Sequence, residues 1–391
     1  MKFIYILPFI AISFVACNQS NKVEVDAKTY YDVPDFSKQS SDQKIINIKL
    51  DTFYIENDIE SSYLGHFWIH DNSLYFSDTH FGYVYRIDKD GNVTERHLGK
   101  GKGPNEIIGL DNSIPTENGF SFFYGGNNSL YTFNKSWDKT VGGRVNWNIK
   151  RSYSEVLENP EPSLPESYEF DSGFENILKP WDKDHVAIAI TASHPKFSGY
   201  FDSDLYYNYS RILGLINLKT GKIDRFIGRR SPFYLKHINL PIFDHFNYEP
   251  IDDNIFVDFW PDKDIYVINK QSGSAIGKFG QSGRDMNVDY QITSTYKEAT
   301  KKHYEHRKKF GYYRHLKYIP ENKMLFRSYY KGEGTKFDGL QIYENYALLG
   351  DVDVPKGFEV LGVIDDDIIG TIVNQEQEEF KVFKIEFSYE N

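Results

Sequence analysis

Along most of the chain, short runs of alternating apolar and polar residues are separated by tight polar turns. Between Leu64 and Gly99 the pattern reads as four strands: Leu64–Ile69, Leu74–Ser77, Tyr83–Asp88 and Val93–Leu98. The turns His70-Asp71-Asn72-Ser73 and Lys89-Asp90-Gly91-Asn92 supply the Asx and Gly residues that tight hairpins require, and Asp78–Gly82 forms the loop between the middle strands. The same unit returns from Phe246 to Gly280. There Ile251-Asp252-Asp253-Asn254 repeats the first turn and Ile265–Asn269 repeats the third strand. It returns from Asn176 to Gly228, and in weaker form from Gly109 to Asn148 and from Gly311 to Val354.

The final copy is short. Phe358–Ile364, Ile368–Asn374 and Phe380–Phe387 give three strands, and a four-strand unit needs one more. Lys44–Ile55 alternates like a strand and has no other partner, so it is expected to complete the last unit and close a ring. The pattern therefore predicts an all-β chain, a six-bladed β-propeller closed by its N-terminal strand. A seventh blade is possible if a cryptic unit hides in the insertions at 150–172, 192–210 and 281–310. Within the third insertion, Tyr290–Lys309 has few turn residues and a basic end, which predicts a helix.

The N-terminus has a different pattern. Lys2 precedes an apolar run from Phe3 to Val15, too short to span a bilayer, and Ala16 precedes Cys17, the chain's single cysteine. A small residue before a lone cysteine resembles the lipobox of bacterial lipoproteins. That resemblance implies cleavage before Cys17 and a diacylglycerol on its sulfur. The expected organisation is a signal peptide over 1–16, a lipidated tether over 17–43 and a propeller domain over 44–391. No second apolar stretch is long enough to span a membrane, so the membrane is reached through the lipid alone. Asn18 stands where Asp often signals inner-membrane retention, and no acidic cluster follows. The expected place is the cell envelope, at the outer membrane facing the periplasm, with surface exposure left open.

After the first unit, Lys100-Gly101-Lys102-Gly103-Pro104-Asn105-Glu106 resembles the Gly-x-Gly-Pro-x-Glu loop of lipoproteins with a TolB-like six-bladed propeller. These are abundant in Bacteroidota, and many belong to families of unknown function. The resemblance implies the fold and leaves the role open, because such folds host many roles.

Charge narrows the partners. A net charge of -11 argues against a nucleic-acid-binding surface. In an antiparallel blade, the loop between the second and third strands shares a face with the link to the next blade. That face is expected to carry Asp78, His80, Lys100, Lys102, Asn105, Glu106, Arg229, Arg230, Trp260, Lys263 and Arg284. Tyr200, Tyr206, Tyr207 and Tyr209 are expected beside them. Together they predict a basic, aromatic-rimmed mouth for an anionic glycan or an envelope protein partner, against the alternative of ordinary solvated charges.

No catalytic motif, metal site or cofactor is predicted. Asp88–Asn92 begins like a calcium loop, but Gly99 stands where the twelfth-position acid belongs. His303 and His306 lie among lysines that oppose a cation, and Asp365-Asp366-Asp367 reads as a turn. The expected role is non-catalytic binding or scaffolding. The rival is a polysaccharide hydrolase or lyase, for which Asp78, Glu106, Asp202 and Asp204 could supply two facing carboxylates.

Overall fold

A computed structural model describes residues 24–39, 44–55, 59–171, 178–192, 194–199, 203–236, 240, 243–293, 295–372 and 379–390. The signal segment, Cys17, Tyr200 and Asp202 lie outside them. Six small antiparallel sheets form the fold. The first strands of successive blades touch in a closed circuit, so the molecule is a six-bladed propeller with these strands innermost. They are Gly65–His70, Asn112–Thr116, Leu178–Pro180, Phe246–Ile251, Tyr312–Ile319 and Phe358–Ile364 in blades 1 to 6.

The turns are those the sequence marked. In blade 1, Ile69 pairs with Leu74 and His70 with Ser73. The intervening Asp71 and Asn72 both take positive φ, 45° and 57°, as a two-residue hairpin turn demands. The ring closes as expected. Ile45–Phe53 is the outermost strand of blade 6 and runs antiparallel to Val382–Tyr389, with Leu50 opposite Ile385 and Phe53 opposite Val382. Aromatic and β-branched side chains fill the gaps between blades. Between blades 1 and 2 Trp68 stacks on Tyr75 at 4.2 Å, and Phe120 stacks on Trp137 at 4.3 Å.

The insertions depart from the sequence reading in two ways. The helix of the third insertion spans Tyr296–Lys309, six residues shorter at its start than expected, because Thr295 caps it by accepting from the Glu298 N–H. The other two long insertions also hold helical turns, at Tyr153–Glu158 and Ser203–Tyr209.

The segment expected as a free tether is docked from Glu24 onward. Glu24 Oε1 lies 2.9 Å from Arg211 Nη2 and 3.1 Å from Arg229 Nη2. Tyr31 donates to the Arg229 carbonyl at 2.7 Å, and Asp35 bridges in parallel to Lys278 on the outer strand of blade 4. Phe36 then packs among Phe279, Tyr346 and Phe256, between blades 4 and 5. A run with so few aliphatics reads as tether, but its three aromatics, Tyr30, Tyr31 and Phe36, are spaced to reach successive blade gaps.

Candidate functional site in the central channel

The inner strands enclose a cavity of about 540 Å³ on the propeller axis, to which all six blades contribute. That size falls within the range of small-molecule sites, roughly 300–1,000 Å³. Blade 1 supplies His66, blade 2 Asn112 and Ser113, blade 3 Lys179, blade 4 Glu249, blade 5 His315 and Lys317, and blade 6 Glu359. Strand alternation alone does not explain a polar channel. It arises because these innermost strands carry Lys, Glu, His and Asn where neighbouring strands carry apolar residues.

One side of the cavity is charged. Glu249 bridges three blades: its Oε2 lies 3.0 Å from Lys179 Nζ, and its Oε1 accepts from Lys317 Nζ at 3.0 Å. Burial pushes the Glu249 carboxyl up, but the two ammonium groups outweigh it and hold it at about 2. Arg314 Nη2 donates to Glu359 Oε1 at 3.0 Å. For Glu359 burial wins, and its carboxyl is raised above the usual range despite Arg314. This side therefore sets three cations against two carboxylates.

The other side is aromatic, and the charged residues beside it, Glu379 and Lys381, pair with each other at 3.2 Å. Tyr63, Phe67 and Phe380 line it, with ring centroids 4.9 Å apart for Tyr63 and Phe380 and 5.3 Å for Phe67 and Phe380. Burial holds the His66 imidazole down at about 4 and His315 at about 3, with Lys179 adding to the second shift. Both rings are neutral at pH 7. Four enclosed polar atoms on the lining have no protein partner: His66 Nε2, Asn112 Oδ1, Ser113 Oγ and His315 Nδ1. Enclosed polar atoms normally find partners, so four such atoms on residues of one cavity lining mark it as a polar site rather than an apolar core.

None of the eleven residues expected at the mouth lines this cavity. Asp78 is buried and holds its own loop, accepting from the backbone N–H groups of Ser62, His80 and Phe81 at 2.6, 2.9 and 2.8 Å. Arg229 is buried against Glu24, and Arg230 is buried against Asp244 at 3.0 Å. Trp260 is buried and stacked on Tyr312 at 4.4 Å. Glu106 steadies the Gly-rich loop by accepting from the Gly103 N–H at 2.7 Å. Lys263 pairs with Asp264 at 2.7 Å and Arg284 with Asp353 at 2.8 Å. His80, Lys100, Lys102 and Asn105 are exposed. The basic residues thus do not converge on the axis. The aromatics Tyr206 and Tyr207 are core residues, each about 1% exposed.

Sequence reasoning missed the channel residues, although a signal existed. Once Phe246–Ile251 and Tyr312–Ile319 are read as first strands, Glu249, His315 and Lys317 must stand near the axis. Among the described residues no group of three His, Cys, Asp or Glu side chains is placed to hold a metal. Among them, too, no helix is long and apolar enough to cross a membrane.

The fold defines the class as a six-bladed propeller with a polar central cavity. A scan against protein-family models finds no match, and neither does a search of curated proteins. Solved structures do match. The chain is similar to a member of the DUF4221 family from Bacteroides vulgatus, at 14% identity and a TM-score of 0.63, covering 88% of this chain and 100% of that one. It is also similar to a putative exported protein from Bacteroides fragilis, at 12% identity and a TM-score of 0.50, covering 91% and 99%. At these identities the likeness is one of fold.

Proposed function

We propose that the protein is a lipid-anchored envelope propeller that binds a small glycan fragment in its central channel. The observation that carries this reading is a single enclosed cavity in which polar side chains from all six blades stand beside an aromatic wall. Hydroxyl-rich ligands need that combination: ring faces to stack on, and separate donors and acceptors for the hydroxyls. The charges on and beside the lining are paired and nearly cancel, so the cavity favours a neutral sugar over a strongly charged one. The envelope location is supported by the signal pattern ending at Ala16-Cys17 and by fold similarity to the putative exported protein from Bacteroides fragilis. The outer membrane facing the periplasm remains the expected side.

The test is calorimetric titration of the purified protein with neutral and uronate mono- and disaccharides. Saturable binding is expected, weakened roughly fivefold to tenfold by Asn112→Ala or Ser113→Ala, each of which removes about one hydrogen bond. No heat with any sugar in the panel would sink the reading.

A second reading rests on one observation. Glu249 and Glu359 both line the cavity and are shifted in opposite directions. One ionised and one protonation-prone carboxyl is the pairing that glycoside cleavage uses. Turnover of any bound oligosaccharide that is lost in both Glu249→Gln and Glu359→Gln would favour this hydrolase or lyase. Binding without turnover favours the first.

A further inference from the structure

A basic helix lies on the face from which the N-terminal segment departs. Strands alternate in direction within each blade, so all interblade links share one face with the loops between second and third strands. The helix Tyr296–Lys309 belongs to the link between blades 4 and 5. Glu24 is held by Arg211, in the second-to-third loop of blade 3, and by Arg229, in the link between blades 3 and 4. Both features therefore sit on the same face, in adjacent links. Glu24 is seven residue steps from Cys17, and seven steps reach no further than about 25 Å. A lipid on Cys17 would keep this face close to the bilayer.

The helix carries the opposite charge to the rest of the protein. It holds six Lys and Arg residues against two Glu, in a chain whose net charge is -11. Its inward side is occupied by Ala299 and His306, which are buried, and His306 stacks edge-on against Phe310 at 5.4 Å. Its outward side presents Lys297, Lys301, Tyr304 and Lys308, all exposed and spaced to form one stripe, with Lys308 also 2.9 Å from the exposed Glu333. Tyr304 is 86% exposed at the middle of that stripe. A tyrosine flanked by lysines suits the polar boundary of a bilayer, where the ring sits at headgroup depth and the ammonium groups meet phosphates. The helix is too polar to insert, so its contact is with the surface.

We propose that this stripe docks on anionic phospholipid headgroups, so that lipid and helix together seat the propeller with its link face toward the membrane. The proposal rests on acylation of Cys17 and goes beyond the channel site. Because Cys17 is the only cysteine, acylation leaves no free thiol and an introduced one labels uniquely.

The processed, acylated protein would be reconstituted in phosphatidylcholine vesicles with and without phosphatidylglycerol. A fluorophore would be placed at Glu305→Cys on the helix or at Gln271→Cys, in the third-to-fourth turn of blade 4 on the opposite face. Energy transfer to a headgroup-labelled lipid is expected to be stronger from position 305 than from 271. It should rise when phosphatidylglycerol is present. The gain should vanish in the triple variant Lys297→Glu, Lys301→Glu, Lys308→Glu and persist when the same lysines become arginine. Equal transfer from both positions would overturn the proposal, as would transfer indifferent to phosphatidylglycerol and to charge reversal. Failure of the protein to float with vesicles would remove the anchor and the proposal with it, while leaving the sugar titration untouched.

Discussion

Phe36 occupies the space that a side chain at Gly277 would need: a Cβ there would stand 2.0 Å from the Phe36 ring. The N-terminal segment is thereby keyed to the outer strand of blade 4, and the Phe36 N–H donates to the Lys278 carbonyl at 2.6 Å.

This fit makes the strap testable. Phe36 is half-buried, so Phe36→Ala is expected to cost roughly 2 kcal/mol, below the ~3–5 of a fully buried Phe. Gly277→Ala should also destabilise, by expelling the ring. The double variant should be no less stable than Phe36→Ala alone, because the methyl then enters vacated space. Urea midpoints of the four proteins decide it. Additive losses would mean that the two positions do not compete for the same space.

A second lock joins blades 4 and 5. Arg327 is fully buried, lies 3.2 Å from Asp258 Oδ1, donates to Gln341 Oε1 and to the Lys263 and Gln281 carbonyls, and covers the Tyr313 ring at 3.8 Å. Burial lifts the Asp258 carboxyl to about 7 even with Arg327 beside it. Arg327→Met removes the cation paired with Asp258 and leaves a buried carboxyl, an expected loss of about 3–5 kcal/mol. Adding Asp258→Leu should recover part of that loss. A single variant as stable as the wild type would show the pair to be dispensable.

The blades were legible in the sequence because each turn is local. Asp71 and Asn72 adopt positive φ through their own short side chains, so four adjacent residues carry the signal. Ring closure was legible because Ile45–Phe53 alternates and had no neighbour to pair with. The site was not, because its members are set by distant partners. Lys179 meets Glu249 across 70 positions, and Glu249 meets Lys317 across 68. Arg229 and Arg230 read as loop cations for the same reason: nothing near them in the chain reveals that Glu24 and Asp244 neutralise them. A charged residue in a loop and a charged residue in a core look alike until the partner is located.

Acid should act on the channel through His315. Burial and Lys179 lower its folded-state value to about 3, against about 6.5 when unfolded. A group whose folded value is depressed adds stability above its unfolded value and loses it as pH falls toward the folded one. Relative to His315→Gln, the wild type should therefore lose stability progressively below about pH 6.5. The difference should reach on the order of 2–3 kcal/mol by about pH 4.5. Comparing the two proteins cancels the opposing contribution of Asp258 and Asp244, whose folded values are raised. A difference that stays flat between neutral pH and pH 4.5 would show that His315 gains a proton as readily folded as unfolded.

Four of the basic residues expected at the mouth, Lys100, Lys102, Arg229 and Arg230, separate by burial. Lys100 and Lys102 are exposed on the Gly-rich loop, and reversing them to Glu is expected to leave the unfolding midpoint unchanged. Arg230 is a different case. It lies 3.0 Å from Asp244, donates to the Asp244 carbonyl, and sits over the rings of Tyr206 and Phe246 at 5.3 and 5.5 Å. Arg230→Glu would set a second carboxylate against Asp244 in a closed space and should cost at least about 3–5 kcal/mol. Arg229→Glu should fall between, because Glu24, its partner, is only half-buried and can swing away. Thermal and urea midpoints of the single reversals rank the four positions directly. An Arg230 reversal as mild as that of Lys100 would mean that the guanidinium reaches solvent, and would return it to the set of groups a ligand could meet.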